Sequence, residues 1–111
     1  MDDIYRLTLD EHSAGVTVAR LEGEIDMETA PVIGARLERA VDQGPMVLDM
    51  ERVEFIDSAG VRMLVEMGRH AEAVRGSLHI VAPEGSVVRR MIELTGIGRL
   101  FVITDNVSLL R

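Results

Sequence analysis

Val53-Glu54-Phe55-Ile56-Asp57-Ser58-Ala59-Gly60 is where the chain passes from an apolar strand into a long helix, with one hydroxyl at the junction. Met46 to Met50, upstream, reads as a short buried strand. Downstream, Val61, Leu64, Val65, Gly68 and Ala71 recur at the three- and four-residue spacing of a helix. This places Ser58 at the helix N-cap, where its oxygen would accept a hydrogen bond from an unpaired backbone N–H. The same helix end, with free N–H groups and the positive pole of the dipole, also tolerates a phosphate. Cap and phosphoacceptor are compatible roles.

Working outward, Ile4 to Leu9 and Val16 to Leu21 read as two strands joined through His12-Ser13-Ala14-Gly15 as a hairpin, the second ended by Gly23 and Asp26. Thr29 is a good N-cap, with Pro31 allowed in the first turn. Ala30, Ile33, Leu37, Ala40 and Val41 then form one face of a helix stopped by Gly44-Pro45. Beyond the Ser58 helix, Gly76 marks a stop and Ser77 to Ala82 a strand. Ser86 caps a short helix with Val87, Val88, Met91 and Ile92, and Gly96 suits a left-handed C-terminal cap, leaving Ile97 free to pack back. Leu100 to Ile103 completes the sheet, and about a turn and a half remains for a last helix before Arg111. Strands alternating with helices imply an α/β fold: a mostly parallel central sheet with right-handed crossovers and an N-terminal antiparallel hairpin at its edge. No repeat or linker divides the chain, so residues 1–111 read as one domain.

Composition narrows the function. The net charge of -7 and pI near 4.9 oppose direct binding of nucleic acid or of an anionic membrane surface, and favour a protein partner. With 47% hydrophobic but only 3% aromatic residues, the core is expected to be aliphatic. The absence of cysteine excludes disulfides, thiolate metal sites and cysteine nucleophiles. Met1-Asp2-Asp3-Ile4 lacks the pattern of a signal peptide, and no stretch approaches a membrane span, so the expected location is the cytoplasm. His12, His70 and His79 lack metal-ligand spacing. Neither a Gly-x-Ser-x-Gly elbow nor a Walker-type loop is present, so the pattern calls for no cofactor and does not favour an enzyme.

Phe55-Ile56-Asp57-Ser58-Ala59-Gly60-Val61, together with Gly23-Glu24-Ile25-Asp26, Thr29-Ala30-Pro31, Val47-Leu48-Asp49-Met50 and Leu94-Thr95-Gly96-Ile97, resembles the STAS domain of bacterial anti-sigma factor antagonists. The resemblance covers nearly the whole chain. It implies that Ser58 is phosphorylated by a partner serine kinase that doubles as an anti-sigma factor, and that a phosphatase restores the unmodified form. Ala59 stands where the family commonly has a second Ser or Thr, and Arg62 where many antagonists have Gly.

The resemblance also implies a partner-facing surface around Ser58, to which Glu24, Asp26, Thr29, Asp57, Ala59, Gly60, Arg62, Met63 and Met67 are assigned. Asp26 reads otherwise as a turn residue, and Asp57 as a turn or dipole-stabilising carboxylate. In an open parallel sheet the strand-to-helix loops gather at one end, which would bring Asp26 near Ser58. Met63, Met67 and Val74 form a second stripe on the helix that needs a cover, either a neighbouring helix or a partner. Arg62, Glu66 and Arg69 fall on a solvated face. The alternatives are a STAS scaffold in a sensory or transport assembly, with Ser58 only a cap, and a small hydrolase using Ser58.

Overall fold

The computed structural model describes residues 4–11, 15–74 and 76–106. Its elements run β1 Tyr5–Glu11, β2 Thr17–Ile25, α1 Ala30–Asp42, β3 Met46–Ile56, α2 Ser58–Ala73, β4 Leu78–Val81, α3 Val87–Thr95, a 3-10 turn Ile97–Leu100, and β5 Val102–Thr104. The strands lie in chain order in one five-stranded sheet, β1 antiparallel to β2 and every later pair parallel. Three right-handed crossovers stepping in one direction place the helices on one face. There Leu21, Ile25, Leu48, Met50 and Ile80 from the sheet meet Ile33, Leu37, Leu64, Met67, Val88 and Ile92 from the helices in one aliphatic core. The α/β architecture and the N-terminal hairpin are as the sequence predicts.

The opposite face carries a small apolar group, Val18, Val47 and Val81, and then turns polar. Arg20 pairs with Asp10 at 3.0 Å and lies 3.8 Å from the buried Asp49. Partial burial, and then the neighbouring Asp49 carboxylate, push the Glu51 carboxyl above its usual range.

Several predicted boundaries move. β3 runs on to Ile56 rather than stopping at Met50, because it stays paired with β2 as far as Ile25, through two register shifts, between Arg20 and Glu22 and between Gly23 and Glu24. Inward residues are therefore Met46, Leu48, Met50, Val53 and Ile56, and the alternation that marks a strand breaks after Met50. β2 likewise passes through Gly23 to Ile25 instead of ending there. β1 begins at Tyr5 and reaches Glu11, two residues beyond the predicted Leu9; β4 is one residue shorter at each end; β5 starts at Val102, since Leu100 is in the 3-10 turn. Residues 12–14 of the predicted turn and 107–111 of the predicted last helix lie outside the described residues.

The helices follow their apolar faces. All five residues named for the first helix are buried along α1. Ser86 caps α3, its Oγ accepting from Arg89 N–H at 3.2 Å, and Gly96 ends it at φ 72° with its N–H on Ile92 O. Within α3, Val88 and Ile92 are buried while Val87 is exposed.

On α2 the predicted core residues Leu64, Gly68 and Ala71 are buried, but the buried face is wider and turned toward the second stripe. Val61 and Val65 are half-buried, whereas Met63 and Met67 are 4% and 1% exposed. Their cover is α1, whose Gly34 would bring a Cβ within 3.3 Å of Met63 Cγ. The two methionines of the second stripe are therefore core beneath a neighbouring helix, not an open methionine surface, while Val74, its third member, is exposed at the C-terminal end of α2. At the far end of the same contact, His70 on α2 reaches Asp42 of α1 at 2.8 Å and Glu38 at 3.6 Å.

Candidate functional site

The parallel register brings the ends of β2 and β3 side by side: Ile25 faces Ile56, and Asp57 N–H donates to Ile25 O at 3.2 Å. Two strand-to-helix turns thereby meet at one end of the sheet, one holding Asp26, the other Asp57 and Ser58.

In the first turn Asp26 Oδ1 accepts from Glu28 N–H at 2.9 Å and Thr29 N–H at 3.1 Å. Thr29 Oγ1 accepts from Asp26 N–H at 2.9 Å and donates to Glu24 O at 3.1 Å. Thr29 is thus buried and ties the turn to β2; it precedes α1 but its side chain makes no cap hydrogen bond to the helix. Thr29 holds the predicted N-cap position, but its hydroxyl is engaged by Asp26 N–H and Glu24 O, and Pro31 in the first turn has no N–H for it to accept.

In the second turn the N-cap is Asp57, not Ser58. Asp57 Oδ1 accepts from Ala59 N–H at 2.9 Å and Gly60 N–H at 3.1 Å, and Val61 N–H bonds to Asp57 O at 3.0 Å. With φ -106° and ψ -169°, Asp57 has the extended backbone of a cap. A carboxylate at that position satisfies the helix's N–H groups and meets the dipole with full charge, so Ser58 is displaced by one into the first helical turn. Ser58 is exposed, and its Oγ makes no hydrogen bond among the described residues. Replacing Asp57 by alanine should cost about 0.5 to 2 kcal/mol, measured by urea unfolding, whereas Ser58→Ala should change stability little.

The remaining assigned residues separate by depth. Glu24 and Arg62 are exposed, and Ala59 and Asp26 half-buried. Gly60 is buried where Ile56 and Ile25 leave no room for a Cβ, and Met63 and Met67 lie in the core, so these three shape the site from beneath. Between α1 and α2 runs a groove of about 440 Å³, with Ala30, Gly34, Ala59 and Met63 in its wall and Arg62 and Glu66 at its rim. Sequence reasoning missed Met27, which stands 75% exposed beside Asp26 at the mouth of this groove. Its signal was an isolated methionine between two acidic residues in a turn. Among the described residues no group of His, Cys, Asp or Glu is arranged to hold a metal, and no helix is long and apolar enough to cross a membrane.

The family model described as the STAS domain matches residues 9–109. The anti-sigma-F factor antagonist RsfB of Mycobacterium tuberculosis H37Rv is 33% identical over 102 residues, 89% of this chain and 80% of RsfB. Among solved structures, an anti-sigma factor antagonist from Mycobacterium paratuberculosis superposes with a TM-score of 0.82 at 29% identity, covering 94% of this chain and 88% of that one. The anti-sigma factor antagonist SpoIIAA in its unphosphorylated form and the Bacillus cell fate determinant SpoIIAA in its phosphorylated form give TM-scores of 0.74 and 0.70 at 26% and 25% identity. Both comparisons cover 95% of this chain, and 93% and 96% of SpoIIAA. The chain belongs to the STAS domain family, among relatives that are anti-sigma factor antagonists.

Proposed function

We propose that this protein is an anti-sigma factor antagonist switched at Ser58. Unmodified, it binds an anti-sigma factor serine kinase in the cytoplasm and so frees a sigma factor for transcription; phosphorylated on Ser58 it releases the kinase, and a phosphoserine phosphatase resets it. The protein itself is a regulator, and the phosphoryl chemistry, with its nucleotide and metal, belongs to the kinase. It acts without direct contact to nucleic acid or membrane.

The observation that carries this reading is that Ser58 Oγ is exposed and uncommitted while Asp57 does the capping. Modification therefore leaves the helix start intact and changes only the surface. That surface already holds Asp26 and Asp57 and the exposed Glu24 and Glu28. Adding about -1.5 to -2 charges there opposes docking through desolvation and repulsion.

The test has two parts. Peptide mass spectrometry on protein from its native host should find phosphate on Ser58. Calorimetry against the host's anti-sigma kinases should give wild-type-like affinity for Ser58→Ala and more than tenfold weaker binding for Ser58→Asp. Equal affinity of the two variants, or phosphate only at other residues, would overturn the switch and leave a STAS scaffold in which Ser58 is inert.

A further inference from the structure

Ser58 occupies the first turn of α2 and Arg62 lies one turn later on the same side, because residues four apart stack along a helix. Both are exposed. Most backbone N–H groups that ordinarily receive an anion at a helix start are already in use here, since Ala59 and Gly60 donate to the Asp57 carboxylate at 2.9 and 3.1 Å and Val61 to its carbonyl, leaving Ser58's own N–H without a hydrogen bond among the described residues. A phosphate on Ser58 reaches those groups only by evicting a carboxylate, and beside Asp57 it meets like charge. One neutral N–H cannot balance a dianion, so the compensating charge has to come from a side chain.

Arg62 is placed to provide it. Long side chains on a helix lean toward its N-terminus, a direction that carries the guanidinium of Arg62 toward the turn that holds Ser58, and Arg62 lines the same groove as Ala59. It makes no ion pair among the described residues. Its competitors are Glu66, four residues on along α2, and Glu38 of α1 across the groove; neither approaches within ion-pair distance, and Glu38 faces His70. From the β2–α1 turn come only further acids, Asp26 and Glu28.

Building on the reading of Ser58 as phosphoacceptor, we propose that Arg62 is the internal counter-ion of that phosphate, drawing the modified side chain back along α2. One modification then makes two changes: it adds negative charge beside Asp57, and it withdraws from the groove rim a free guanidinium that in the unmodified protein is open to a carboxylate of the partner.

The test uses protein with phosphoserine incorporated at position 58 during translation, followed by phosphorus NMR through a pH titration. Arg62→Gln should raise the second ionisation of the phosphate by about 0.3 to 0.5 unit, because a nearby cation favours the dianion. Arg62→Lys should recover most of the difference. An identical titration in wild type and Arg62→Gln would overturn the proposal. Since the phosphate is installed directly, this result does not depend on any kinase; failure of the switch itself would show instead as equal partner affinity of Ser58→Ala and Ser58→Asp.

Discussion

Gly23→Val is expected to lose about 4 kcal/mol of stability and to lower the thermal midpoint by roughly 15 °C in circular dichroism. Gly23 sits inside β2 at φ 95°, where a side chain is strained wherever it points. A Cβ there would also collide with the Ile4 carbonyl oxygen and stand 2.9 Å from Tyr5 Cα. These are backbone atoms of the adjoining strand, and Ile4 O already accepts from Glu24 N–H at 2.7 Å, so nothing flexible is available to yield. Gly96→Ala is the control. At φ 72° it carries the same kind of strain but meets no atom within 4 Å, and should cost only about 1 to 2 kcal/mol. A Gly23→Val midpoint within a few degrees of wild type would mean that the β1–β2 pairing gives way at little cost.

Gly60→Val comes next, with an expected loss of about 3 kcal/mol. The backbone of Gly60 is ordinary helix, and crowding alone is at issue: its Cβ would lie 2.5 Å from Ile56 Cγ1 and 3.0 Å from Ile25 Cγ2, both in the core under the first turn of α2. Relief requires the start of α2 to lift from the sheet, and that movement pulls Ala59 and Gly60 N–H away from Asp57. The urea midpoint should fall by roughly 2 M, and hydrogen exchange at residues 59 and 60 should accelerate more than at β4. An unchanged midpoint would show that Ile56 can repack.

These two glycines also show what the sequence did and did not disclose. Gly23-Glu24-Ile25-Asp26 and Asp57-Ser58-Ala59-Gly60 were visible as motifs, and the apolar spacing of α1 named its five buried residues. The strand-and-helix alternation was enough to place the two turns at one end of a parallel sheet. Residue depth at the site was less legible. Gly60, Met63 and Met67 were assigned to the partner surface, but which side of α2 is buried depends on how closely α1 approaches, and Gly34 permits that approach from another helix. The choice of cap was ambiguous for a similar reason. Asp57 and Ser58 are both good capping residues, and only the backbone, extended at Asp57 and helical from Ser58, decides between them. Strand ends failed where register shifts erase the alternation that a reader of sequence depends on.

The hydrogen bond from Asp57 N–H to Ile25 O, with the carboxylate lock that follows it, bears on how quickly a partner can bind. The turn presenting Ser58 is fixed between two strands and a capped helix before any encounter, so the entropy of ordering it is lost during folding and is not charged again to association. What remains to be immobilised on this side is a handful of surface side chains. Complex formation should then follow a single exponential whose rate rises linearly with partner concentration, without the plateau that a slow rearrangement of this domain would impose.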